Sequence, residues 1–168
     1  MGNDTNMNVL QTGQVVMQAA FAHFQSYKEC IGIEIRDDLH TVGLEWTRRM
    51  HHAHPEYDKS TAKVTLLCDI HSGFLASQFQ NQIAKADVLF SYNRCFHNEQ
   101  GDRGSLNGHL ASCLEKNMKQ GAVVITAAPL RLDRGQFERL KVPEHLKPTK
   151  HTTRHGMTAL SVYVHRHK

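Results

Sequence analysis

The chain has 168 residues, 40% of them hydrophobic, and 20 Lys and Arg stand against 16 Asp and Glu for a formal net charge of +4. That length fits one domain, residues 1–168, with a sizeable core, and leaves no room for two ordinary domains. The apolar content excludes an intrinsically disordered chain, and no apolar run approaches the roughly 18–20 residues of a membrane span, so no membrane partner is expected.

In chain order, Met7-Asn8-Val9-Leu10 offers only a strand remnant before Gln11-Thr12-Gly13. From Gly13 to about Tyr27, the apolar positions Val16, Met17, Ala20, Phe21 and Phe24 recur at helical spacing. Cys30-Ile31-Gly32-Ile33-Glu34-Ile35 predicts a strand, and Asp37-Asp38 an N-cap for a helix with Leu39, Val42, Trp46 and Met50 on one stripe, stopped at Pro55. On that stripe Trp46 and Met50 are expected in the core. Ala62 to Cys68 predicts a second buried strand, followed directly by Asp69. A helix through Phe74, Phe79 and Ile83 comes next, then a strand over Ala86–Ser91 and a polar loop from Asn98 to Asn107.

The next helix carries Leu110, Cys113, Leu114 and Met118 and stops at Lys119-Gln120-Gly121, before an apolar strand over Ala122–Thr126. Residues 131–157, rich in Pro, Lys and His, read as linker. Thr158–His165, alternating through Leu160, Val162 and Val164, predicts an edge strand near the end. Strands alternating with helices predict an α/β fold: an open, largely parallel sheet covered on both faces.

The start, Met1-Gly2-Asn3-Asp4-Thr5-Asn6, lacks a basic signal region and the Ser or Thr of a myristoylation pattern. Cysteines 30, 68, 95 and 113 form no C-x-x-C pair and are expected to be reduced, mostly buried thiols. No metal site is expected; His51, His52 and His54 lie at a helix end without a matching Cys or acid cluster. Charge is concentrated in residues 131–168, with nine Lys and Arg against three acids, and this basic segment points to an acidic partner.

Open parallel sheets bind ligands beyond the carboxyl ends of their strands. That rule selects Gly13 and Gln14, Glu34, Asp69, Asn93 with Phe96, and the turn Ala128-Pro129. An acid ending the second strand suits a ribose diol, because a carboxylate accepts hydrogen bonds from adjacent hydroxyls. An acid after the next strand can accept from the exocyclic amine of adenine. Together these residues describe a nucleoside pocket.

Gly13-Gln14-Val15-Val16-Met17-Gln18-Ala19-Ala20 resembles the start of the first helix in the disruptor-of-telomeric-silencing family, the non-SET histone H3 lysine methyltransferases. Ile31-Gly32-Ile33-Glu34 resembles that family's second strand with its ribose-binding acid. Cys68-Asp69-Ile70 resembles its G-D-F, Tyr92-Asn93-Arg94-Cys95-Phe96 its N-N-F-A-F loop, and Met118-Lys119-Gln120-Gly121-Ala122-Val123-Val124 its M-K-x-G-x-x-I-V. The similarity runs from Gly13 to Leu130. It implies a Rossmann-like fold with S-adenosyl-L-methionine as cofactor, held by Gly13, Gln14, Glu34, Asp69 and Asn93. It implies methyl transfer to a lysine of histone H3 in the nucleosome, in the nucleus, through an apolar channel lined by Asn93 and Phe96. Nucleosomal DNA would meet the basic segment 131–168.

Met7–Thr12 stand where the family has D-L-G-S-G-V and keep neither the acid nor the first two glycines. Arg94 and Cys95 replace Phe and Ala in the loop. The first strand and its Gly-rich turn are therefore expected to be lacking or degenerate, in a domain incomplete at its N-terminus. The alternative is a degenerate pseudo-methyltransferase that acts as a chromatin or nucleic-acid-binding module.

Overall fold

A computed structural model describes residues 6–10, 13–22, 27–55, 63–69, 75–93, 106–142 and 160–166, with backbone alone for 6–10, 13–14 and 21–22. The elements run β1 (Asn6–Leu10), α1 (Gly13–Ala22), β2 (Glu29–Glu34), α2 (Asp37–Ala53), β3 (Lys63–Cys68), α3 (Ser77–Lys85), β4 (Val88–Ser91), α4 (Leu106–Asn117), β5 (Val123–Thr126), β6 (Phe137–Leu140) and β7 (Ser161–His165). They form one seven-stranded sheet in the order β3-β2-β1-β4-β5-β7-β6. β1 to β5 are mutually parallel, and β7 runs antiparallel to both of its neighbours. This is the open, largely parallel α/β sheet that the sequence predicts.

The first strand is present. Asn6 to Val9 pair with β2 on one side and Met7 to Leu10 with β4 on the other, so β1 occupies the middle of the parallel sheet.

Alternation along the strands sorts two cores. On one face Ile31, Ile33, Leu89 and Val124 pack with Phe79 and Ile83 of α3 and with Leu110, Cys113 and Leu114 of α4. On the other, Cys30 packs with Val16 and Ala20 of α1, bordered by half-buried Val64, Leu66, Val88 and Phe90. Each fully buried Ile or Leu contributes about 1.5–3 kcal/mol of transfer free energy. Gly121, at φ 79°, turns the chain between α4 and β5, a left-handed conformation that glycine adopts without steric cost.

Several sequence expectations need correction. Trp46 does not enter the core: it is 46% exposed and Met50 is half-buried, because α2 buries Gly43 instead and turns the Val42–Trp46 flank outward. The cap of α2 is Arg36, with Asp37 and Asp38 in the first turn, where carboxylates favour the positive end of the helix dipole. Residues 131–157 contain β6, and β6 rather than β7 is the edge. In β7 the buried side chains are Ser161 and Tyr163, the opposite phase to Val162 and Val164. The buried Tyr163 hydroxyl is satisfied: it accepts from the Leu130 N–H at 2.9 Å and donates to the Leu130 carbonyl at 3.1 Å. Phe74 and Cys95 lie outside the described residues, whereas Cys30, Cys68 and Cys113 are free thiols.

Candidate active site at the carboxyl ends of the strands

Parallel pairing brings the tips of β3, β2, β1, β4 and β5 to one end of the sheet. Asp69, Glu34, the Gly13 start of α1, Asn93 and Ala128 follow these tips in that spatial order. At a strand spacing of about 4.8 Å, the row from β3 to β4 spans about 14 Å.

Glu34 and Asp69 sit on adjacent tips. Glu34 pairs in register with Cys68, and the Asp69 N–H donates to the Glu34 carbonyl at 3.2 Å. The Glu34 carboxylate turns the chain out of β2. Its Oε1 accepts from the main-chain N–H groups of Ile35 at 2.8 Å and Arg36 at 3.0 Å. Both donors fall on the same oxygen, and Oε2 takes no bond from the described residues. Asp69 Oδ2 accepts from the Gln78 side chain at 3.2 Å, which tethers β3 to the first turn of α3.

Asn93 is 0% exposed, and its carboxamide is spent within the protein. Oδ1 accepts from the Ala128 N–H at 2.8 Å, while Nδ2 donates to the Ala128 carbonyl at 3.1 Å and to Asn107 Oδ1 at 2.7 Å. Thr126 Oγ1 donates to the same Ala128 carbonyl at 2.8 Å. Asn93 thereby forms a buried strut that locks the β5 tip to the β4 tip. Beside it, two buried polar atoms, Ser91 Oγ and Asn107 Nδ2, have no hydrogen-bond partner among the described residues.

Gly13 and Gln14 open α1 just beyond β1, with main-chain N–H groups of the first helical turn directed toward the carboxyl end of the sheet. Phe96, Arg94 and Cys95 lie outside the described residues. Of the sequence-predicted residues, the sheet thus brings Gly13, Gln14, Glu34, Asp69 and Asn93 to one end. Sequence reasoning missed Asn107, Ser91 and Thr126. Asn107 had only a weak signal, a polar residue at the boundary between loop and helix; the buried Ser and Thr end their strands in matching positions.

No protein-family profile matches the chain, and no curated protein matches it in sequence. Solved structures do resemble it. A protein from Haemophilus influenzae assigned as a methylase is 14% identical, covers 98% of this chain and 89% of its own, and superposes with a TM-score of 0.56. The rRNA methyltransferase aviRa from Streptomyces viridochromogenes is 11% identical over 98% of this chain and 78% of its own, at 0.49. An S-adenosylmethionine-dependent methyltransferase from Thiobacillus denitrificans, solved with S-adenosyl-L-homocysteine, is 11% identical over 86% of this chain and 46% of its own, at 0.45. The similarity to the Haemophilus protein, together with the strand order, establishes a Rossmann-like fold for this chain.

Proposed function

We propose that this chain is an S-adenosylmethionine-dependent methyltransferase whose acceptor is a lysine of histone H3 in the nucleosome, acting in the nucleus. The observation that carries the cofactor half is the pair of carboxylates, Glu34 and Asp69, on neighbouring strand tips joined by a main-chain hydrogen bond.

The residues present fit the adenosine portion of such a cofactor. Among the described residues Glu34 Oε2 takes no hydrogen bond and is available to a ribose hydroxyl, while Oε1 holds the following turn. Asp69 stands one strand away, where it would accept from the adenine amine. The α1 N-terminus at Gly13 and Gln14 would present N–H groups to the carboxylate of the methionine portion. When bound, the cofactor supplies an electrophilic methyl group on a sulfonium. The protein's task is then to align an uncharged amine in line with it, in surroundings poor enough in water to lower the amine pKa. Asn93 serves as a positioning residue that keeps the Ala128-Pro129 turn in place, and Phe96 would supply the apolar wall.

The lysine acceptor rests on the G-Q-V-V-x-Q and N-x-x-F motifs, not on geometry. Nucleosomal DNA would be held by the basic segment, in which Arg131, Arg134 and Lys141 are exposed. The degenerate-module alternative draws on Met7–Thr12, which keep neither the acid nor the first two glycines, and on Asn93 being fully engaged inside the fold.

Methyl transfer from labelled S-adenosylmethionine should be assayed on nucleosomes, free histone H3 and RNA. Label on histone H3 within nucleosomes is the expected result. Nucleosome binding without label would favour the non-catalytic module, and label on RNA would overturn the histone assignment.

A further inference from the structure

A second cluster of chemistry-bearing side chains lies beside the Glu34–Asp69 pair. The ligand atoms of Asp37, His40 and Cys68 all fall within 4.8 Å of one another. Asp37 and His40 are three apart in the first turn of α2 and therefore share a face, and Cys68 is the last residue of β3. Donor atoms around a tetrahedral zinc ion sit about 3.3–3.8 Å apart, so a shift of about 1 Å in these side chains would close the set.

We propose that Asp37, His40 and Cys68 form a binding site for a borderline divalent transition-metal cation of the zinc class, with the remaining coordination position open to water. The Nε2 of His40 lies 3.3 Å from the Leu66 carbonyl. A carbonyl only accepts, so this bond requires Nε2–H and leaves the lone pair on Nδ1. Metal-binding histidines are characteristically oriented in this way, through a hydrogen bond from the second ring nitrogen to a main-chain carbonyl or a carboxylate.

The surroundings favour a cation as well. Arg36, the nearest competing positive charge in sequence, has its guanidinium taken up by Asp38, at 3.1 Å from Nε and 2.5 Å from Nη2. Binding of the dication would release the Cys68 thiol proton to solvent, giving Cys68 as thiolate. One sulfur, one imidazole and one carboxylate select zinc or cobalt over magnesium or calcium, which prefer all-oxygen sites. The site would pin the first turn of α2 to β3, beside the Glu34–Asp69 pair. No contiguous sequence motif announces it, because Cys68 stands 28 positions after His40.

Cobalt(II) titration of the whole chain, followed by absorption, tests the assignment. One equivalent should bind with a thiolate-to-cobalt charge-transfer band and the intense visible bands of a four-coordinate site. Zinc should displace the cobalt and bleach both. Cys68→Ser should abolish the charge-transfer band, His40→Gln should weaken binding at least tenfold, and His51→Ala with His52→Ala should leave both unchanged. Circular dichroism of each variant reports that it is folded. Cobalt binding without a charge-transfer band, or a band that survives Cys68→Ser in the folded variant, would overturn the proposal.

Discussion

The carboxamide of Asn93 grips both main-chain groups of Ala128, accepting from its N–H at 2.8 Å and donating to its carbonyl at 3.1 Å. These residues are 35 positions apart, so the bond pair ties the loop after β4 to the turn after β5 at the end of the sheet where ligands bind.

Asn93→Ala should therefore act first on stability. It removes three hydrogen bonds, leaves a buried Ala128 N–H without a partner and opens a small void. The expected loss is about 2–4 kcal/mol, read as a lowered urea midpoint at unchanged slope. A change below about 0.5 kcal/mol would mean that the strut is not formed.

Tyr163→Phe should cost about 1–3 kcal/mol, because it leaves the buried N–H of Leu130 without an acceptor and its carbonyl without that donor. Lys63→Ala makes the contrast: its ion pair with Glu29, at 3.3 Å, is largely exposed and should be worth under about 1 kcal/mol. Thermal unfolding of the two variants side by side checks the ordering.

Burial, with a smaller contribution from Glu29, pushes the Cys30 thiol up to about 12 from an ordinary 9.0. Its folded pKa lies above the unfolded one, so the stabilising effect is complete below pH 9 and is lost as pH rises from 9 toward 12. Over that window this group contributes a fall of up to about 1.4 kcal/mol per pH unit. Cys30→Ala should flatten that part of a stability-against-pH curve. In the native protein Cys30 should also resist thiol reagents that label half-buried Cys68.

Much of this architecture was written in local pattern. The strands ending in Glu34, in Cys68 before Asp69, and in Ser91 are short apolar runs bounded by polar residues, and a parallel sheet covered on both faces needs just such runs. β6 was hidden because Phe137-Glu138-Arg139-Leu140 is an edge strand with one buried side chain, set in a stretch rich in charge and proline. The phase of β7 inverted because a tyrosine is buried there, satisfied by Leu130, which no local rule foresees. Trp46 was misplaced because periodicity identifies an apolar stripe but not how far the helix rolls; α2 rolls onto Gly43. At the site, carboxylates on strand tips were legible from sequence. The engagement of Asn93 with Asn107 and Ala128 was not, since it depends on which loops the fold brings together.

The most direct measurement is calorimetric titration of the chain with S-adenosylmethionine, repeated on Glu34→Gln, which retains an oxygen acceptor for the Ile35 and Arg36 N–H groups but loses the negative charge. The account predicts saturable binding to the unaltered chain, weakened in the folded variant by about 1–3 kcal/mol, or roughly 5- to 150-fold. Absence of binding, or equal affinity in the two proteins, would contradict it.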